Sequence, residues 1–258
     1  MVLTNPIAAG NTADIYLHEG KLVKLFKDCR PNTEAEYEAN KQRYAHAKGL
    51  PVPSIFEVTN INGRHAIIME HILGDTIGNM MFGNMAMAEH YMSITVDMQL
   101  KIHAIKASDF ELMENKLQRQ LLSVPVLSEK QKDALVDKLY CMQHDKTLCH
   151  GDYHVYNLIS NKIGTTIIDW VDSSAGDAKS DACRSYLLYS QYSIELADLY
   201  LRLYAEKSGV SQEDILVWIP IIAGARLSEN VSSENANRLI EIVNQFLYTK
   251  ETSKWKNY

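Results

Sequence analysis

Asp152, Asn157 and Asp169 are the residues from which chemistry can first be read. Asp152 and Asn157 stand five positions apart in the run LCHGDYHVYNLI, residues 148–159, closed by Leu148 before and by Leu158 and Ile159 after. The segment enters a short apolar strand, 157–160, turns through 162–164, and leaves on a second strand, 165–169, that reads into Asp169-Trp170. A hairpin of that kind brings Asp169 back beside Asn157. Two aspartates and an asparagine converging at strand ends are the inventory that phosphoryl transfer asks for. One carboxylate orients or deprotonates an attacking hydroxyl, and an amide oxygen with a second carboxylate holds Mg²⁺ on nucleotide phosphates. Mg²⁺ favours hard oxygen ligands and keeps several waters, so two protein ligands suffice.

The elements that must position this run start upstream. ADIYLH and KLVKLFK are β-forming runs split by Glu19-Gly20, a hairpin signal. In Asn32-Thr33-Glu34-Ala35-Glu36, Thr33 and Glu36 fit a capping box and predict a helix start. The helix runs to Lys48; Gly49 supplies the stop, and Pro51 and Pro53 prevent continuation. SIFEVT and RHAIIME are two further strands, turned through 60–63. Beyond Ile72 helical patterns dominate, over windows 84–106, 110–122, 129–143, 180–207, 212–228 and 233–248. The boundary is expected at 72–75. It separates a small β-rich N-lobe, residues 1–72, from a larger, mostly helical C-lobe, residues 73–258, in an α+β architecture.

At 258 residues and 46 % hydrophobic, the chain can bury a substantial core. Its net charge of −6 argues against nucleic acid as the main partner and is compatible with a cationic small molecule. Cys29, Cys141, Cys149 and Cys183 form no CxxC pair and read as reduced thiols. There is no basic segment leading into an apolar signal, and no apolar run reaches the roughly 18–20 residues of a membrane span. The expectation is a soluble, cytoplasmic protein without a membrane partner.

HGDYHVYN followed by IIDW resembles the HGDxxxxN and IDW motifs of the aminoglycoside phosphotransferase and choline kinase group, small-molecule kinases with a bilobal, protein-kinase-like fold. The resemblance implies that Asp152 is the catalytic base, that Asn157 and Asp169 are the metal ligands, and that His150 braces the loop. It extends upstream. LVKLFK resembles the strand that carries a phosphate-binding lysine, here Lys24, with Glu38 as its helical partner and Glu34 as the rival one turn earlier. HAIIMEHILGD resembles the strand and hinge that meet adenine, with main-chain groups from Glu70 to Ile72 as the bonding edge. Gly176-Asp177 and Asp181 resemble the GDPxxD segment after IDW. The implied cofactors are ATP and Mg²⁺, and the implied reaction is transfer of the γ-phosphoryl group to a hydroxyl of a small molecule, aminoglycoside-like or an amino alcohol. The nucleotide loop, AAGNTAD, holds a single glycine, Gly10.

Other readings compete. A choline- or ethanolamine-type kinase is the alternative within the group, and a nucleotide-binding pseudoenzyme the alternative outside catalysis. A protein kinase is disfavoured because no APE-type segment follows IDW. Cys141, His144, Cys149, His150 and His154 invite a zinc or metal-hydrolase reading, but their spacing matches no common site. Lys24 lies between Leu22 and Phe26 in strand alternation, so its face is covered and its ammonium needs a partner. Tyr186, Tyr189, Tyr192, Tyr200 and Tyr204, with Trp170 and Trp218, are either packed core or a cage for an amine through cation–π contact. The methionines from Met80 to Met98 read as core filler, and His103 as a packed helix histidine.

Overall fold

The computed structural model describes residues 3–10, 12–27, 33–107, 109–143 and 145–254; Asn11, Cys29, Asn32 and His144 lie outside them. The described elements begin with strands β1 (Ala8–Ala9), β2 (Ala13–His18) and β3 (Lys21–Phe26), helix α1 (Glu34–Ala47), strands β4 (Ile55–Ile61), β5 (Arg64–Glu70) and β6 (Asp75–Thr76), and helices α2 (Ile77–Gly83), α3 (Ala88–His103), α4 (Met113–Ser123) and α5 (Glu129–Cys141). They continue with strands β7 (Thr147–Cys149), β8 (Leu158–Ser160), β9 (Thr165–Ile167) and β10 (Ser174–Gly176), and helices α6 (Ala178–Ser190), α7 (Ile194–Ser208), α8 (Gln212–Leu216), α9 (Ile219–Arg226) and α10 (Ala236–Lys254). Two compact units result: Met1–Tyr91 with Val155–Asp172, and Met92–His154 with Ser173–Tyr258.

In the first unit, five antiparallel strands are ordered β1-β2-β3-β5-β4. Glu19 and Gly20 are both left-handed (φ 48° and 75°), as are Asn62 and Gly63 (φ 52° and 86°), which suits tight hairpins between right-twisted strands. Alternation along β3 sets the two faces of the sheet. Val23 and Leu25 pack with Ile61, Ala66 and Ile68. Phe26 and Leu22 pack on the other face with Ala35 and Ala39 of α1 and with Ile67 and Met69. Helix α1 begins where the sequence placed it, but the capping box does not form: Thr33 adopts helical dihedrals (φ −87°, ψ −11°) and its side chain caps nothing. A capping hydroxyl reaches the first turn from extended dihedrals, which Thr33 lacks. Glu36 pairs with Arg43 instead, at 2.8 Å. Gly49 (φ 82°) ends the helix, with the Leu50 N–H returning to the Ala45 carbonyl at 3.2 Å.

The hairpin read from 157–160 and 165–169 is present: β8 pairs with β9 in the register Leu158↔Ile167 and Ser160↔Thr165. Its outer edge pairs with β6, Asp75 against Ser160 and Thr76 against Ile159. The compact units divide at Tyr91/Met92, and the β6–β8 pairing lies within the first of them. Gly74 makes this approach possible. Its φ is 156°, and a Cβ there would sit 2.5 Å from the Ser160 carbonyl oxygen.

The second unit is helical, with β7 and β10 forming a short antiparallel pair. Two expected helices are each split. Window 180–207 becomes α6 and α7, because Ser193 adopts extended dihedrals and its hydroxyl accepts the Leu196 N–H at 3.2 Å. Window 212–228 becomes α8 and α9, with Pro220 in the first turn of α9, where its missing N–H costs nothing. The sequence reading did not anticipate α2, β7 or β10, which are short and draw their stability from tertiary contacts. Tyr189, Tyr200 and Tyr204 pack in succession as tilted rings, with centroids 5.2 and 5.9 Å apart, and are buried. These rings are core rather than a cage. Met81, Met92 and Met98 are buried, while Met85 and Met87 are exposed. No helix among the described residues is long and apolar enough to cross a membrane.

Gly74→Ala should force the β6–β8 pairing apart and lower stability by about 1–3 kcal/mol. The measurement is a denaturant titration, where the midpoint falls at unchanged slope.

Candidate active site

Strand β3 delivers Lys24 onto the α1 face of its sheet, among apolar neighbours. The ammonium is almost buried there, and it donates to Glu38 Oε1 at 2.6 Å and to Asp169 Oδ1 at 3.2 Å. Burial works against the Lys24 charge. The two carboxylates outweigh it and hold the ammonium above its ordinary range. Glu38 is only 2 % exposed, and burial pushes its carboxyl up against the opposing charge of Lys24. Glu38, not Glu34, is thus the helix residue on Lys24.

Asp169 follows β9 in a left-handed conformation (φ 63°), a geometry that costs a non-glycine residue roughly 1–2 kcal/mol. The chain on either side is fixed. The Ile167 N–H donates to the Pro51 carbonyl at 2.8 Å, and the Ile168 N–H donates to the Asn157 carbonyl at 3.0 Å. The Trp170 indole N–H reaches the Ile167 carbonyl at 3.3 Å. Asn157 ends a short 3-10 turn, Val155–Asn157, and is buried. The hairpin therefore brings Asn157 and Asp169 together through the backbone. Glu70 closes β5; its N–H donates to the Ser54 carbonyl (2.9 Å) and its carboxylate accepts the Ser54 N–H (3.1 Å), with Ile72 lying beyond the strand.

Asp152 belongs to the second unit. One carboxylate oxygen lies 3.5 Å from Arg184 Nη2, and the other lies 3.6 Å from His154 Nε2. Burial raises the Asp152 carboxyl, but the His154 hydrogen bond and the charges of Arg184, His154 and His150 outweigh it and hold it well below the usual carboxylate range. Arg184 is itself gripped by Glu229, at 2.8 and 3.0 Å from its two terminal nitrogens. Glu229 also accepts from Arg226, and Arg226 in turn pairs with Glu234 at 3.7 Å. Sequence reasoning missed Arg184. Its only signal was its position one turn after Asp181 on α6.

Asp181 anchors the loop that carries Asp152. Its two oxygens accept the backbone N–H of Gly151 (2.8 Å) and of His150 (3.2 Å), and also His103 Nε2 (3.0 Å) and Gln99 Nε2 (3.3 Å). The buried His150 ring accepts the Asp152 N–H through Nδ1 at 3.3 Å, so it braces the loop from inside. His103 also meets the Tyr204 hydroxyl at 2.7 Å. Burial would raise the Asp181 carboxyl; the His103 hydrogen bond and charge, the His150 charge and the Gly151 N–H lower it to about 2. His103, Cys149 and Asp181 have ligand atoms within 4.8 Å of one another, a set that shares only Cys149 with the five residues weighed for zinc in the sequence. Internal bonds already engage these atoms: the Cys149 thiol donates to the carbonyls of Thr147 (3.5 Å) and Asp177 (3.7 Å), and burial pushes it well up. Cys141 is exposed, and His144 is outside the described residues.

The sequence matches the phosphotransferase enzyme family (APH) over residues 4–214, and the chain belongs to that family. No curated protein matches it. Among solved structures, a thermostable mutant of aminoglycoside phosphotransferase APH(4)-Ia in its apo form is similar, with a TM-score of 0.68 at 13 % identity, covering 97 % of this chain and 95 % of that one. ADP-bound aminoglycoside phosphotransferase APH(2'')-Ib gives 0.63 at 17 %, covering 95 % and 92 %. LicA in complex with AMP gives 0.67 at 16 %, again covering 95 % and 92 %. At such identities the likeness establishes the fold, which is the kinase-like α+β fold that the motifs implied.

Because Asp181 is held below its unfolded value of about 3.9, its contribution to stability is present above that pH and is lost as pH falls toward about 2. That contribution is on the order of 2–3 kcal/mol. Asp181→Asn should lower stability at pH 7 by about 3–5 kcal/mol and flatten the acid-side fall. Urea titrations of both proteins from pH 7 down to pH 3 read both effects.

Proposed function

We propose that this protein is an ATP-dependent phosphotransferase that moves the γ-phosphoryl group to a hydroxyl of a small molecule, in the manner of the aminoglycoside phosphotransferases. The observation that carries the reading is Lys24, which bridges Glu38 and Asp169 while Asp169 is tied through Ile168 to Asn157. An ammonium has three donors; two go to carboxylates, and the third serves a nucleotide phosphate. Residues 1–72 hold the nucleotide, with main chain from Glu70 to Ile72 at the adenine edge. Residues 73–258 supply the catalytic loop and the acceptor pocket. APH(2'')-Ib is described with ADP, and an APH(4)-Ia variant with ADP and hygromycin B, which supports a nucleotide and a hydroxylated acceptor here.

Asn157 and Asp169 fit Mg²⁺. Asp169 gives one oxygen to Lys24 while its side chain stays 41 % exposed, and an amide with a carboxylate is a hard-oxygen donor set. The metal, when bound, neutralises charge on the transferring phosphoryl oxygens. Asp152, five residues before Asn157, aligns the acceptor hydroxyl and takes its proton as transfer completes. Held below the usual carboxylate range, it is a weak base. That suits a loose transition state, in which positioning counts for more than early deprotonation. The setting is cytoplasmic. The acceptor is aminoglycoside-like; choline and ethanolamine are the competing acceptors.

ADP release from ATP–Mg²⁺ should depend on one acceptor in a panel of aminoglycosides, choline, ethanolamine and simple sugars. Asp152→Ala should cut that turnover by roughly 10²–10⁴-fold and leave ATP affinity nearly intact. Loss of ATP binding along with turnover would give Asp152 a structural role instead.

A further inference from the structure

Lys41 is absent from every role assigned so far, yet it is a lysine only 7 % exposed. It lies on α1, three residues after Glu38, so the two side chains leave the same helix face one turn apart. Its ammonium donates to the Val171 carbonyl at 2.6 Å and sits 4.1 Å from the centre of the Tyr37 ring. A buried ammonium is retained only where it is bonded, and here one acceptor is the main chain two residues beyond Asp169.

We infer that Lys41 is a positioning residue for Asp169, so that α1 acts as a two-point clamp: Glu38 holds Lys24 against the Asp169 carboxylate, and Lys41 holds the backbone that follows Asp169. The left-handed conformation of Asp169 gives the clamp its purpose. A residue in that region returns to ordinary dihedrals unless the chain on both sides is held. On the upstream side the hold comes from the Pro51 and Asn157 carbonyls. On the downstream side it comes from the Trp170 indole, bonded to the Ile167 carbonyl, and from Lys41 on the Val171 carbonyl. The direction of the Asp169 carboxylate, toward Lys24 and toward a metal, then depends on the placement of α1. Lys41 lies on the buried side of α1, with Glu38, Ala39 and Gln42 also buried on that helix.

The inference rests on the reading of Asp169 as a Mg²⁺ ligand, and its test needs no acceptor. Calorimetry measures ATP affinity with and without Mg²⁺ in wild type, Lys41→Met, Lys41→Arg and Asp169→Asn. Wild type should gain affinity from Mg²⁺, and Asp169→Asn should lose that gain. Lys41→Met should lose about tenfold of it with Mg²⁺-free affinity unchanged, and Lys41→Arg, which keeps a charged donor, should recover most of it. If Lys41→Met lowers thermal stability but keeps the full Mg²⁺ gain while Asp169→Asn loses it, the positioning role is overturned and the metal reading stands. If Asp169→Asn keeps the gain, or wild type has none, the metal reading falls and the inference falls with it. Should Lys41→Met not fold, Lys41→Gln decides on the same scale: a reduced gain supports the clamp, and an undiminished one overturns it.

Discussion

A charged lysine placed on an apolar sheet face must be neutralised locally, and much of the first unit is arranged around that need. Lys24 shares its face of the sheet with Leu22 and Phe26, so little water can reach its ammonium. Two carboxylates do so instead. One arrives on α1, whose small residues Ala35 and Ala39 let the helix lie close over the strand. The other arrives on the β8–β9 hairpin, from more than a hundred residues later in the chain. A single cation thus fixes the helix and the hairpin relative to the sheet. Removing either carboxylate would leave a buried charge under-compensated, a far larger penalty than the loss of a surface ion pair.

The second unit solves a parallel problem with the opposite sign. Asp181 is a buried carboxylate, and it is satisfied by backbone N–H groups of the loop at His150 and Gly151 together with His103 and Gln99. The bonds that make its burial tolerable are the same bonds that set the loop. Asp152, at the end of that loop, meets Arg184, and Arg184 is held by Glu229. Charge on Asp152 is therefore maintained by groups that are themselves fixed, which is what electrostatic preorganisation requires.

The motifs were legible because each carries a local physical cost that its neighbours must answer. Lys24 between two apolar residues implied a partner, and the strand–turn–strand pattern after Asn157 implied the return of Asp169. The resemblance pointed to Glu38, with Glu34 on the same helix face as its rival; the placement of α1 on the sheet sets Glu38 against Lys24. The capping box at Thr33 failed because a capping motif specifies the ability to bond, not the dihedrals that the incoming chain imposes. The long windows at 180–207 and 212–228 hid their breaks, because one serine or one proline outweighs periodicity only when tertiary packing turns the chain there.

The sequence by itself determined the hairpins, the extent of α1, the kinase-like architecture and the residue types able to handle a phosphoryl group. The hairpins, the helix and the residue types follow from short-range constraints, namely alternation, glycine handedness, and the incompatibility of a buried charge with an apolar face; the kinase-like architecture was implied by the resemblance of HGDYHVYN and IIDW to a known family. Only the tertiary structure decided that Glu38 takes Lys24, that Arg184 takes Asp152, that Lys41 grips Val171, and that the β8–β9 hairpin pairs with β6 in the first unit. Each of these joins residues that are adjacent only after folding or that competed on equal local terms. The deciding quantity was the distance between their atoms, which no local pattern encodes.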